Sequence, residues 1–249
     1  MPTVTLIDYT GCGRPDEAEY AARLLAFTKN TRLQMTPNGF QDWLDKPWSE
    51  IEPELVYMTK TIPSSHEFVD ATFTIQGVTR AFAQQLTRTR FTPIDGDIFG
   101  SYAMQTQRVL DVRDAEITVP PSVQDEARLI YDAAAAAAVN GYKRVIEAGA
   151  SLEDARGLLP MNVQCNLVAK FNLRSMAEMF RKRESLRVQD EFVTVVRAMR
   201  TEVERVWPWA ASFFVPKDTL AIEIIEGVAK TLPEAQRREL AKAADLLKL

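Results

Sequence analysis

Apolar and polar residues alternate between positions 71 and 76: Ala71, Phe73 and Ile75 against Thr72, Thr74 and Gln76. A period of two sends every second side chain to the same side, so this segment predicts a strand with one buried face, closed by Gly77. Val4 and Leu6 predict a second short strand over 4–8. Elsewhere the period is helical. Ala18, Ala21, Leu24 and Leu25 return every three or four positions within 16–28, and a second helical stretch runs over 48–61, ending before Pro63. Val78, Phe82 and Leu86 mark one face of a helix over 78–90. Gly11, Gly13 and Pro15 make 10–15 a turn; Pro93, Gly96 and two aspartates make 91–100 a loop. Positions 101–113 fit neither period.

The second half predicts helices throughout. One runs over 123–148 and ends before Gly149. Ser151 followed by Asp154 has the form of a capping box and opens a short helix toward Pro160. A long helix with one break fills 163–206, stopped by Pro208, and Thr231 and Pro233 open a last one over 234–247. The pattern predicts a mixed α/β fold, one domain over 1–249, with a helix-rich C-terminal half.

Composition narrows the function classes. The chain has 249 residues and a net charge of -4, which argues against a general nucleic-acid binder with a broad basic surface. No apolar run approaches the roughly 20 residues that span a bilayer, and the first eight residues lack the basic start and apolar core of a signal peptide. The alanine-rich run over 131–139 is too short to span and predicts a tightly packed helix. Cys12 and Cys165 are the only cysteines, far apart and without metal-ligand spacing, so a reduced cytoplasmic setting and no metal site are expected.

Two regions carry candidate chemistry. Arg80, Gln84 and Arg88 fall at i, i+4 and i+8 of the predicted helix, with Gln85 and Arg90 beside them. Guanidinium groups converging at a helix end suit a phosphate, which arginine grips bidentately; a solvated arginine face reads equally well. In the second region Asn172, Met176, Phe180, Arg183 and Arg187 share one side of a helix. An arginine on a partly apolar stripe needs a partner. Glu178 or Glu184 would serve, as would a bound anion or the carbonyls of a base. His66, the single histidine, and Cys165 have no catalytic neighbour in sequence. Residues alone give an anion-binding α/β protein.

The order of these residues is more specific. Gln85, Arg88, Thr89 and Arg90, then Ser101, Met104, Thr106 and Arg108, resemble the signature of the flavin-dependent thymidylate synthases: R-H-R, a short spacer, then S-x-x-E-x-S-x-R. The stretch over 72–82 resembles the strand and helix entry before it. Glu153, Ala155, Arg156, Leu159 and Pro160 resemble E-x-A-R-x-x-L-P; Asn172, Arg174, Ser175 and Met176 resemble N-x-R-S-L; Arg183, Gln189 and Glu191 resemble L-R-x-x-x-x-A-Q-x-E. Each motif is short, but four in register over 72–191 make the resemblance specific.

The resemblance implies a homotetramer of α/β subunits that binds FAD and nucleotide where subunits meet, with NADPH and methylenetetrahydrofolate as co-substrates. It implies that Arg88, Arg90, Asn172 and Arg174 contact FAD. Gln85, Thr106, Arg108 and Arg156 would hold the nucleotide, chiefly its phosphate. Arg183 would face the pyrimidine carbonyls and stabilise charge that builds on the ring. The family uses no cysteine nucleophile, which leaves Cys165 without a role.

The departures gather at the same places. Thr89 stands for the central histidine, Met104 for the glutamate and Val109 for a tyrosine; Thr106 replaces serine but keeps a hydroxyl; Glu178 stands where an asparagine or histidine helps bind FAD. The 91–100 segment exceeds the family's spacer. His66 lies near the position of the family's flavin-site histidine, with Phe68 aligned closer. The expected reaction is one-carbon transfer to C5 of dUMP, giving dTMP. Methylation of dCMP, or hydroxymethylation of dUMP or dCMP, are the alternatives that the departures suggest, and such products would suit a viral DNA-modification pathway. A silent nucleotide-binding homologue is the alternative of another class; the retained Arg88, Arg90, Asn172 and Arg174 argue against it.

Overall fold

The computed structural model of the chain describes residues 2–31, 35–61, 63–88, 100–183 and 190–215, with positions 228, 233 and 236. Thr89, Arg90, most of the 91–100 loop, Glu184, Arg187, Gln189 and most of the helix expected over 234–247 lie outside the described residues.

Four strands form one antiparallel sheet: Thr3–Tyr9 (β1), Asp70–Thr79 (β2), Gly100–Met104 (β3) and Gln164–Asn172 (β4), in the order β1-β2-β4-β3. Period two dictates the sheet's faces. Ala71, Phe73 and Ile75 of β2 and Leu167, Ala169 and Phe171 of β4 are buried on one face. Each such large apolar side chain contributes roughly 1.5–3 kcal/mol on full burial. The α-helices among the described residues are Glu17–Lys29 (α1), Pro37–Leu44 (α2), Trp48–Met58 (α3), Arg80–Thr87 (α4), Asp125–Glu147 (α5), Leu152–Ala155 (α6), Leu173–Arg183 (α7) and Asp190–Val206 (α8), with short 3-10 turns at Pro63–Phe68, Arg156–Leu158 and Pro208–Phe213. Phe192, Val195, Val196, Met199 and Val203 bury one stripe of α8, which lies against β1 and β2. Among the described residues no helix is long and apolar enough to cross a membrane.

Residues 164–172, expected as helix, form β4, one of the two inner strands. Cys165, Leu167, Ala169 and Phe171 are buried while Asn166, Val168 and Lys170 face outward, which is strand alternation. Val168 on the outer face breaks the polar half of that alternation and makes 167–169 a short apolar run that fits either period. The expected long helix is α7 and α8 only. β2 also outruns its expectation: Gly77, at φ 66°, sits in a register shift between Ile75 and Val78, and the strand continues to Thr79 before α4 begins. The ambiguous 101–113 region begins as β3. Gly100 opens it over Phe171, where an added Cβ would come within 2.5 Å of a ring only 1 % exposed. α2 was not expected; Thr36 accepts from the Gly39 N–H at 3.1 Å and Pro37 follows it, a start signal without enough apolar repeats behind it.

A second, smaller core of Val112, Tyr142 and Ala155, backed by Leu152, Leu159 and Val145, packs α5 and α6 against the chain leaving β3. That packing fixes where the loop after β3 meets α6.

Candidate functional site

The start of α4 is held by four separate hydrogen bonds. The N–H groups of Thr79, Arg80, Ala81 and Phe82 donate in turn to Glu191 Oε1 (2.8 Å), the Val163 carbonyl (3.1 Å), the Met161 carbonyl (3.0 Å) and Thr79 Oγ1 (3.0 Å). A helix N-terminus leaves such donors open for an anion; here protein acceptors occupy them. A phosphate is therefore excluded from this end, and Gln85 and Arg88, both exposed, stand at the other. A cation there complements the helix dipole. Arg80 of the expected arginine face turns away: its guanidinium donates to Oε1 of buried Gln107.

Gln107 turning inward leaves Thr106 and Arg108 facing out on either side. Arg108 Nε lies 2.8 Å from Glu153 Oε1, and the same oxygen lies 3.7 Å from an Nη of Arg156. Thr106 Oγ1 accepts from the Arg108 N–H at 3.2 Å. α6 presents Glu153 and Arg156, and its start is fixed by Ser151, whose Oγ accepts from the Asp154 N–H at 3.1 Å. Two guanidinium groups distant in sequence thus converge on one anionic oxygen, with the Thr106 hydroxyl at the backbone of one of them. All three side chains of the ion pair are more than a third exposed, so the pair itself adds little stability.

The other predicted residues lie along α7. Asn172 ends β4, not a helix turn as expected, and its Oδ1 accepts from the Ser175 N–H at 2.8 Å to start α7. Arg174 pairs with Glu67 at 2.6 Å. Arg183 closes α7, its guanidinium carbon 5.2 Å from the Phe192 ring centre. Glu178, offered by sequence as a partner for Arg183, pairs with Arg181 and with Lys182 (3.7 Å). At 1.5 Å per residue Arg174 and Arg183 stand roughly 14 Å apart along the helix. One chain thus brings Thr106, Arg108 and Arg156 together but sets Asn172 and Arg174 at the far end of α7 from Arg183. The Glu153–Arg156 pairing was legible as i,i+3 spacing; Glu67 with Arg174 and Glu191 with Thr79 were not, because fold alone brings them together.

A cavity of about 620 Å³ opens beside the start of α4, lined by Thr79, Tyr131, Gln164, Asp190 and Glu191 among others. Its described lining has two carboxylates and no lysine or arginine, so it does not suit a phosphate. His66 is buried, its ring edge-on to Phe213 at 5.0 Å. Cys165 is buried in the core and burial pushes its thiol up from the ordinary range, the opposite of nucleophile activation. A thiol reagent should accordingly label exposed Cys12 quickly in the native protein and Cys165 only after unfolding. Peptide mapping of the labelled sites checks this; rapid native labelling of Cys165 would contradict its burial.

The chain matches the model of a family described as thymidylate synthase complementing protein over residues 5–209. A flavin-dependent thymidylate synthase from Saccharolobus solfataricus is 30% identical over 218 residues, covering 84% of this chain and 75% of that one. One from Pyrococcus furiosus is 28% identical over 228 residues, covering 84% of each. The match spans 63% of the length of a third, from Sulfurisphaera tokodaii, at 29% identity over 171 residues and 68% of this chain. It spans half the length of the one from Sulfolobus acidocaldarius. The crystal structure of a UMP/dUMP methylase from Streptomyces cacaoi bound with 5-Br dUMP superposes with a TM-score of 0.67 at 18% identity, covering 86% of this chain and 94% of that one. At that identity the likeness concerns the fold.

Proposed function

The chain belongs to the thymidylate synthase complementing protein family, and from that premise we propose that it is a flavin-dependent enzyme transferring a one-carbon unit from methylenetetrahydrofolate to C5 of a pyrimidine deoxynucleoside monophosphate, dUMP giving dTMP. The observation that carries the reading is the convergence of Arg108 and Arg156 on one oxygen of Glu153 beside Thr106. Glu153 marks where an anion sits, and a nucleotide phosphate, with more charge and more acceptor oxygens, takes its place between the two guanidinium groups. Gln85 completes that set. The Streptomyces methylase, bound with 5-Br dUMP, lends support through its fold.

The residues suit a flavin dinucleotide as one part of a shared site. Arg88 is exposed, and Arg174 is partly exposed with an anion already against it in Glu67. Both suit the diphosphate; Asn172 and Arg90 belong to the same set. Bound FAD, reduced by NADPH, would supply the hydride that converts the transferred carbon to a methyl group. The chain's own part is positioning and charge: Thr106, Arg108 and Arg156 hold the phosphate, and Arg183 faces the base. The separation of Arg174 from Arg183 along α7 supports sites built from more than one subunit, in a homotetramer. Exposed Leu129 and Ile130 on α5, at 72% and 65%, supply apolar surface for such assembly.

The test is mass spectrometry of products formed from dUMP and from dCMP, offered separately with FAD, NADPH and methylenetetrahydrofolate. A dUMP product heavier by one CH2 is expected. A methylated dCMP or a hydroxymethyl product would move the specificity to the alternatives that Met104 and Thr89 suggest. Flavin-free protein without product would overturn the enzyme reading. Arg108→Ala should raise the KM for the nucleotide roughly 10- to 100-fold, as expected for loss of a charge-assisted hydrogen bond; an unchanged KM would remove the phosphate from this cluster.

A further inference from the structure

The start of α8 touches both halves of the proposed nucleotide site. Glu191 Oε1 accepts the Thr79 N–H at 2.8 Å, and its Oε2 accepts the Thr79 hydroxyl at 2.6 Å. Thr79 Oγ1 in turn accepts the Phe82 N–H at 3.0 Å and caps α4. The next residue, Phe192, packs its ring against Phe82 of α4 with centres 5.1 Å apart. The same Phe192 ring lies under the Arg183 guanidinium at 5.2 Å. Two consecutive residues of one helix therefore grip the helix that carries Gln85 and Arg88 and the arginine that closes α7.

We propose that Glu191 and Phe192 form a positioning element that fixes α4 relative to Arg183, and so sets the distance between the phosphate end and the base end of the bound nucleotide. The inference rests on the nucleotide reading given above. Its physical basis is leverage. Gln85, the residue of α4 in the proposed phosphate set, lies about 7.5 Å along the helix from its start, so a tilt of about 10° there carries it more than an ångström. Misplacement on the scale of an ångström is enough to disturb the alignment of bound groups. A carboxylate is well matched to this role. It engages the hydroxyl and N–H of Thr79 at once, and its charge opposes the positive end of the α4 dipole. Glu191 touches neither substrate nor reacting atoms in this scheme; it acts through Thr79.

The experiment uses the flavin-loaded full chain and steady-state kinetics with dUMP, well below the melting temperature of each variant. Glu191→Ala should lower kcat/KM for dUMP about tenfold, the scale of losing two hydrogen bonds to a charged group in part, through a raised KM at the phosphate end and a lowered kcat at the base end. Thr79→Val should do the same, Thr79→Ser should keep the wild-type kcat/KM, and the Glu191→Ala/Thr79→Val double variant should fall clearly short of the sum of the singles, because the hydroxyl–carboxylate bond is lost only once. A lowered melting temperature with an unchanged kcat/KM would overturn the inference, because a merely structural clamp would give that result. Additive effects in the double variant would also overturn it. Should Glu191→Ala fail to fold, Glu191→Gln, which keeps the shape and loses the charge, carries the same comparison with Thr79→Val. Wild-type protein that neither binds nor turns over dUMP would instead sink the nucleotide reading itself, whereas a competent wild type with indifferent variants sinks this inference alone.

Discussion

Arg183→Ala lowers kcat with dUMP by at least about 100-fold while leaving the fold and the flavin complement intact, if Arg183 stabilises charge that develops on the base; a single preorganised donor to such charge is worth roughly 100- to 1000-fold. The structure separates the two effects. Arg183 is the last residue of α7, half-buried, with the buried Met179 and Phe180 behind it and the Phe192 ring beneath its guanidinium. Removing it forfeits, among its interactions, a cation–π contact and a favourable charge at a helix C-terminus, each on the order of 0.5–1 kcal/mol. A thermal melt of the variant separates any loss of fold from loss of turnover. Arg183→Lys sharpens the test. It keeps the charge but not the planar fork, so it should recover stability and only a small part of the turnover. Circular dichroism, flavin absorbance and kcat measured on the same preparations give the answer. Full activity in Arg183→Ala would take the residue out of the site, and loss of flavin in step with activity would place it against the cofactor.

Arg183 also shows how much of the site was legible in the sequence. The sequence placed it on a mixed face and asked what its charge meets. Spacing offered only neighbours on the same helix, among them Glu178, which pairs with Arg181 and Lys182, and Glu184, which lies outside the described residues. Phe192, the ring beneath the guanidinium, belongs to another helix and had no sequence signal. The strands divide in the same way. β2 was legible because threonines alternate with apolar residues, whereas β4 was hidden by Val168, an apolar residue on the exposed face, 36% accessible. Boundaries failed where one residue overrides a period: Gly77 inserts a register shift and lets β2 run on to Thr79. The motif resemblance found Arg108 and Arg156, but their shared anion, Glu153, emerged only once α6 was packed against the loop after β3.

Two departures from the family's motif, Met104 and Val109, fall on surfaces that the fold leaves open. Met104 is 43% exposed at the end of β3 and Val109 is 77% exposed just past Arg108. Neither is needed to hold the sheet together, so the scaffold places no constraint on either residue. Glu178 differs, being buried and engaged by Arg181 and Lys182. A side chain that in the resemblance helps bind FAD is here part of an ion-pair cluster on α7. If the flavin is held by the proposed set of Arg88, Arg90, Asn172 and Arg174, without help from position 178, then Arg88→Ala should weaken flavin retention, and a full flavin complement in that variant would remove Arg88 from the set.

Acid should destabilise the protein in a window set by its single histidine. His66 is 6 % exposed, and its pKa is pushed down to about 4. Burial is the main cause, followed by the positive charges of Lys29, Arg181 and Arg174; a hydrogen bond to the Met58 backbone works the other way. In the unfolded chain the same ring takes its proton near its ordinary value of 6.5. Between those two values the unfolded state binds more protons than the folded one, so stability falls as pH drops through the window and is fully retained above it. The difference amounts to about 3 kcal/mol at its lower edge, or roughly 6–12 °C in melting temperature for a chain of this size. Carboxylates titrate in the same range, so the comparison must be with His66→Asn, which keeps a donor near the ring's Nδ1 position and removes the titration. The variant should be less stable than the wild type at pH 7.5, because it leaves space beside Phe213, yet its melting temperature should fall less between pH 6.5 and pH 4.5. Parallel curves for the two proteins would mean that the folded histidine takes up its proton as readily as the unfolded one, and that the ring is not held in the dry environment that the Phe213 contact and the core around it describe.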